Sequence, residues 1–267
     1  MRDSWRLAVG TFTALPTRAP HAVDGRTMGG AMLLAPVTTA PLIVAWVALA
    51  LLTTHGLLPY AVAAVLALVA AALLSRALHL DGLADLADGL TSGHDRERSL
   101  EVMHRGNTGP AGAAALVLVL GLDAACLATL LTDSRGAVLA VTALVASRLA
   151  PAICARHGIP AARPTGLGHA VAGTVTRHSL IAVVAVLSLG AATVAAAVAA
   201  TTGDESSRWT MSLIAALVAL AGATGAVATR RHAVRRLGGV TGDVIGAAIE
   251  IALATGLVVA SVLHSAV

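Results

Sequence analysis

Three aspartates stand close together in the run His79-Leu80-Asp81-Gly82-Leu83-Ala84-Asp85-Leu86-Ala87-Asp88-Gly89-Leu90. If this run is helical, positions i, i+4 and i+7 fall within an arc of about 60°, so Asp81, Asp85 and Asp88 form one acidic stripe. Like charges packed this way at a membrane boundary repel one another, so they must be solvated, partly protonated or neutralised by a cation. Oxygen donors with no cysteine nearby select a hard ion, and Mg²⁺ is the usual choice where phosphates complete its shell. Gly82 and Gly89 flank the stripe and would let a bulky ligand approach the backbone. The plainer alternative is three aspartates that cap and solvate a helix end. The Leu and Ala between the acids argue against it, because they make the element strongly amphipathic.

A second polar island, Leu237-Gly238-Gly239-Val240-Thr241-Gly242-Asp243 through Glu250, puts two acids seven residues apart on one helical face. Glu250 falls inside an apolar span, where a carboxylate is a functional candidate by default. The glycines before Asp243 read as a loop feeding a helix N-terminus, which suits an anion such as phosphate. The competing account has the glycines packing helices and Glu250 pairing with a buried arginine. Between the islands, Arg96 and Arg98 could hold phosphates in fork geometry, or serve only as flanking charge. Asp123 reads as a buried structural acid. His79 projects from the side of the helix opposite the stripe, which disfavours it as a ligand.

The elements that must position these groups are set by composition. The chain has 267 residues, 57% of them hydrophobic and 12% charged, with a mean hydropathy of +0.84. A soluble surface needs roughly a quarter of its residues charged. Seven apolar segments near the length of a bilayer-crossing helix are predicted, at about 31–52, 57–78, 110–132, 137–154, 180–201, 209–229 and 244–267. They lack period-two alternation, so the fold class expected is all-α, a single polytopic bundle over residues 1–267. No cleaved presequence is expected in residues 1–30.

All 18 basic residues are arginine. They concentrate in alternate segments, and by the positive-inside rule these segments face the cytoplasm, with the N-terminus inside and the C-terminus outside. Tyr60 and Trp209 fit interfacial anchors at the outer ends of spans. One Phe, one Tyr and three Trp leave few rings for stacking bases, so nucleic acid is not an expected partner despite a pI near 10.4. Cys126 and Cys154 show no ligand spacing and read as packing residues.

These motifs resemble the adenosylcobinamide-GDP ribazoletransferase family, also called cobalamin-5'-phosphate synthase. The likeness rests on His79-Leu-Asp-Gly-Leu-Ala-Asp through Asp88-Gly89, on Arg96-x-Arg98-x-x-Glu101-x-Met103, and on Thr241-Gly-Asp-x-x-Gly-Ala-Ala-Ile-Glu250. Phe12-Thr13-x-Leu15-Pro16 resembles the family's opening as well, so the likeness covers essentially the whole chain. Where the family commonly carries an acid after Met103, this chain has Asn107, whose amide oxygen can accept or coordinate but adds no charge.

The resemblance implies that adenosylcobinamide-GDP and α-ribazole, or its 5'-phosphate, combine to give adenosylcobalamin, or its 5'-phosphate, and GMP. It further implies Mg²⁺ on Asp81, Asp85 and Asp88, one of them (Asp88 by preference) acting as base. Asp243 and Glu250 would complete the site, and Arg96, Arg98, Gly82 and Gly89 would line the substrate. The setting implied is the cytoplasmic membrane, with room for a homo-oligomer or a complex with other cobalamin-synthesis enzymes. A CDP-alcohol-type phosphotransferase is the nearest alternative, but its usual DGxxAR opening is missing because Asp85 follows Ala84. A cation-coupled transporter would instead use Asp123 and Glu250 as ion sites. A purely structural membrane protein leaves the aligned aspartates unexplained.

Overall fold

Long apolar stretches satisfy their own backbone groups as helices, and the computed structural model, which describes residues 1–200 and 205–266, is helical throughout. The ends of two expected spans, Thr201 and Val267, lie outside the described residues. Helix α1 (Arg2–Phe12) precedes α2 (Gly25–Leu34), a 3₁₀ turn (Ala35–Thr39) and α3 (Ala40–Thr54). Then follow α4 (Tyr60–Leu74), α5 (Leu78–Thr91), α6 (Arg96–His104), α7 (Pro110–Leu130), α8 (Ser134–Ser147) and α9 (Ala150–Cys154). The chain ends with α10 (Gly166–Val171), α11 (Arg177–Ala200), α12 (Glu205–Leu237) and α13 (Gly242–His264). Among the described residues the only extended pairings are two isolated bridges, Arg156 with Val175 and Ala161 with Val240.

Among the described residues six helical stretches are long and apolar enough to cross a membrane, and α4 with α5 makes a seventh, broken candidate. The first runs Gly25–Thr54, six residues earlier than expected. Its 3₁₀ turn contains Pro36 and is followed by Pro41, and a proline cannot donate the backbone bond that an uninterrupted α-helix needs. The second expected span, 57–78, is corrected: its helix stops at Leu74, and α5 leaves at 91° to α4.

Arg76 and Ala77 sit at the bend, both with φ of 55°. Left-handed backbone costs a residue with a side chain roughly 1–2 kcal/mol, so the surroundings must hold it. They do: Ala14 N–H donates to the Leu74 carbonyl at 2.6 Å, and Arg76 Nη2 donates to the Gly10 carbonyl at 2.6 Å. The end of α1 thereby fixes where α5 begins.

Helix α13 is the hub, packed against α5, α7, α8 and α12 and buried over most of its length, whereas α11 lies at the periphery against α12 and α8, with only Ala195 and Ala199 fully buried. Two apolar clusters surround it. One contains Phe12, Leu83, Leu86, Met103, Leu237 and Val244 and underlies the acidic helix. The other contains Leu42, Leu127, Leu139, Met211 and Leu257 at the opposite end, with Trp46 enclosed and its indole N–H donating to the Ala67 carbonyl at 3.1 Å. Cys126 and Cys154 are free and buried, in keeping with packing roles.

Candidate active site

Helix α5 carries the stripe as one turn after another, and its depth changes along it: Asp81 is exposed, Asp85 half-buried and Asp88 buried. Small residues let the neighbouring helices close in. A Cβ on Gly82 would stand 2.7 Å from the Asp243 carbonyl oxygen, so α5 and the start of α13 are in backbone contact there. A Cβ on Gly112 would run into the Asp88 carboxylate and the Ala84 carbonyl, which brings the start of α7 against the same helix. The carboxylates acting electrostatically on Asp85 are Asp81, Asp243 and Asp88, opposed by Arg163.

Asp243 occupies the first turn of α13, where Thr241 caps the helix by accepting from Val244 N–H at 3.2 Å. The Thr241 hydroxyl also donates to Asp243 Oδ2 at 3.2 Å. The loop feeding a helix N-terminus is therefore present as expected, with an acid inside it. Asp81, Asp85 and Asp243 make up one acidic face shared by α5 and α13. The charges of Arg163 and His104 also act on Asp243.

Asp88 is differently employed. Its Oδ2 accepts from Gly109 N–H at 2.6 Å and its Oδ1 from Gly112 N–H at 2.8 Å. Glycine at the N-cap of α7 has no side chain to offer, so Asp88 caps that helix from another element. Beside it opens a cavity of about 370 Å³ lined by Asp88, Thr91, Val102, Arg105, Asn107 and Gly109. Its size lies in the range of small-molecule sites. A larger apolar hollow of about 680 Å³ between α3, α8 and α11 has no ionisable side chain in its lining and cannot host this chemistry.

Several expected site residues have other surroundings. Glu250 lies two turns beyond Asp243, about 10 Å along the helix axis. Its Oε1 is 3.6 Å from His79 Nδ1 in a buried pair, with the enclosed Arg148 within Coulomb range. It is not brought to the acidic face. Asp123 is enclosed without a hydrogen-bond partner among the described residues.

Gly82 and Gly89 do not present open backbone to a ligand: the first is filled by Asp243 and the second by Met103 and the Ser99 carbonyl. Arg96 donates from Nη2 to the Ala162 carbonyl at 3.1 Å. Arg98 pairs with Glu101 at 3.5 Å, and Arg105 donates to the same carboxylate at 2.8 Å, which holds Glu101 below the usual carboxylate range.

Whether these residues suit Mg²⁺ can be judged from the donors. Among the described residues no three His, Cys, Asp or Glu side chains are close enough to enclose a metal alone. Mg²⁺ seldom needs that, since it is usually held by one or two carboxylates with phosphates and water completing the octahedron. Asp81, Asp85 and Asp243 are oxygen donors of the type such a hard ion takes, with phosphates and water left to supply the rest of its shell.

The fold and this site together define a polytopic helical membrane protein that presents clustered carboxylates at its arginine-rich end. The family described as cobalamin-5-phosphate synthase matches residues 4–261, and the chain belongs to that family. The chain is 44% identical to an adenosylcobinamide-GDP ribazoletransferase of Nocardioides sp. (strain ATCC BAA-499 / JS614), over 96% of this chain and 97% of that relative. It is 36% identical to the protein of the same name from Frankia casuarinae over 95% and 92%, and 36% identical to that of Stutzerimonas stutzeri over 92% of each. No solved structure matches the chain.

Proposed function

We propose that this protein joins adenosylcobinamide-GDP to α-ribazole or α-ribazole 5'-phosphate, giving adenosylcobalamin or its 5'-phosphate and GMP. The observation that carries this is the gathering of Asp81, Asp85 and Asp243 on one face at the arginine-rich end, in a chain whose relatives bear that activity in their names. A ribose hydroxyl of ribazole attacks the corrinoid-side phosphorus of the diphosphate. One P–O bond forms, the bond to the bridging oxygen breaks, GMP leaves with the electron pair, and the hydroxyl proton passes to a carboxylate.

In-line placement and charge neutralisation are the main demands of such a transfer. Both Asp88 oxygens are already occupied by backbone N–H groups. We therefore assign the proton to Asp85 and give Asp88 the task of holding α7 and the adjoining cavity in place. Asp81 and Asp243 would hold Mg²⁺. Once bound, the ion would neutralise the diphosphate and the charge growing on the departing phosphate. The arginine-rich segments then face the cytoplasm, where a nucleotide substrate is available.

Purified protein in liposomes, given adenosylcobinamide-GDP and α-ribazole 5'-phosphate, is expected to release GMP with Mg²⁺ and to stop when EDTA is added. Corrinoid flux into sealed vesicles without GMP would instead favour a transporter. Undiminished release in EDTA would remove the metal from the account.

A further inference from the structure

Arg163 belongs to a loop, residues 155–165, that the structure fastens on both sides. Ala162 N–H donates to the Val240 carbonyl at 3.0 Å and Val240 N–H to the Pro160 carbonyl at 3.0 Å, tying the loop to the segment just ahead of Asp243. A Cβ on Gly239 would collide with the backbone of Ala161 and Ala162, so the approach is as close as two chains can make it. Arg96 holds the loop from the other side through the Ala162 carbonyl, its guanidinium lying over Gly238. Pro160 and Pro164 bracket the arginine and restrict φ at both positions.

Held this way, Arg163 donates from Nη2 to the Leu100 carbonyl at 2.5 Å and is half-buried. Its charge acts on both Asp85 and Asp243, yet among the described residues it closes no ion pair with either. A guanidinium has five donors in a fixed fork, so most of its capacity is unspent. Arg98 and Arg105 are bonded to Glu101, and Arg236 to the Leu90 and Gly93 carbonyls. Arg163 is thus a cation fixed near two acids and bonded to neither, with guanidinium donors left for a group of opposite charge.

We propose that Arg163 grips the diphosphate of the nucleotide-bearing substrate opposite the carboxylates of α5 and α13, and that Arg96 is its positioning residue. This rests on the function proposed above and adds a substrate contact to it. The two substrates differ in the contact: only adenosylcobinamide-GDP carries the diphosphate.

In liposomes, Arg163→Ala should raise KM for adenosylcobinamide-GDP at least about tenfold and lower kcat/KM by roughly 10²–10³, the range for losing one preorganised charge donor. KM for α-ribazole 5'-phosphate should stay within about twofold, free guanidinium should restore part of the rate, and Arg163→Lys should fall between. Equilibrium dialysis of adenosylcobinamide-GDP gives a readout independent of turnover, with affinity expected to drop at least about tenfold in Arg163→Ala and Arg163→Gln. Wild-type binding without GMP release would count against the functional reading, leaving the affinity loss to judge Arg163. Unchanged affinity in a folded variant, or equal weakening toward both substrates without guanidinium rescue, would overturn the assignment.

Discussion

Gly82 marks where the acidic helix and the acidic end of α13 touch. An alanine methyl there would lie 2.7 Å from a backbone oxygen, and neither partner is a flexible side chain that could yield. Gly82→Ala should therefore destabilise the protein by about 1–3 kcal/mol, as overpacked cores do, and push Asp243 away from Asp85 with loss of transfer. Gly121→Ala, at a position on α7 where an added Cβ meets nothing within 4 Å, should leave both unchanged. Thermal unfolding in micelles, read beside GMP release, checks the pair. A Gly82→Ala protein as stable and active as wild type would contradict the packing described.

At this scale the residue types were readable in the sequence and their partners were not. The spacing of Asp81, Asp85 and Asp88 gives a common face, but nothing in it says that both Asp88 oxygens meet the N–H groups of Gly109 and Gly112. Glu250 looked like a companion to Asp243 because seven residues return to one helical face. The same seven residues also carry it about 10 Å deeper, to His79. Arg163 had no spacing to link it to the acids, and only the fastening of its loop to Val240 brings it near them.

Among the elements, α7 shows how a side chain can secure a helix it does not belong to. Its N-terminus carries unsatisfied N–H groups and the positive end of the helix dipole, and the anionic Asp88 answers both. Asp88→Ala should cost about 0.5–2 kcal/mol in thermal unfolding, in the manner of a lost N-cap. Hydrogen exchange should rise first at residues 107–112. An unaltered exchange pattern there would mean that the cap does not hold α7.

Span positions follow from hydropathy because each apolar run must find helical partners for its backbone, and among the described residues six of the seven expected spans meet helices long and apolar enough to cross, the second meeting only the shorter α4. The break between α4 and α5 does not follow from it. Its two left-handed residues are Arg76 and Ala77, where sequence rules look for glycine, and they are held by contacts from Gly10 of α1 and from Ala14 just after it, sixty or more residues earlier in the chain.

In the molecule as a whole, the arginine-rich segments expected on one side of the membrane do meet at one end. Arg76 reaches Gly10, Arg163 reaches Leu100, Arg96 reaches Ala162 and Arg236 reaches Gly93. The acidic face of α5 and α13 lies among them, so negative side chains and the cations that would bind a diphosphate share one end of the bundle. Beneath them an apolar cluster fixes the helices, and at the other end a second cluster completes the span. Asp85 stands where these features meet, acted on by Asp81, Asp88, Asp243 and Arg163 together. The most direct measurement is GMP release by Asp85→Asn protein in liposomes, matched to wild type for insertion and thermal stability. Release should fall by at least about 10²-fold, the lower range for losing a positioned general base. Release at the wild-type rate would mean that the acidic face takes no part in the chemistry.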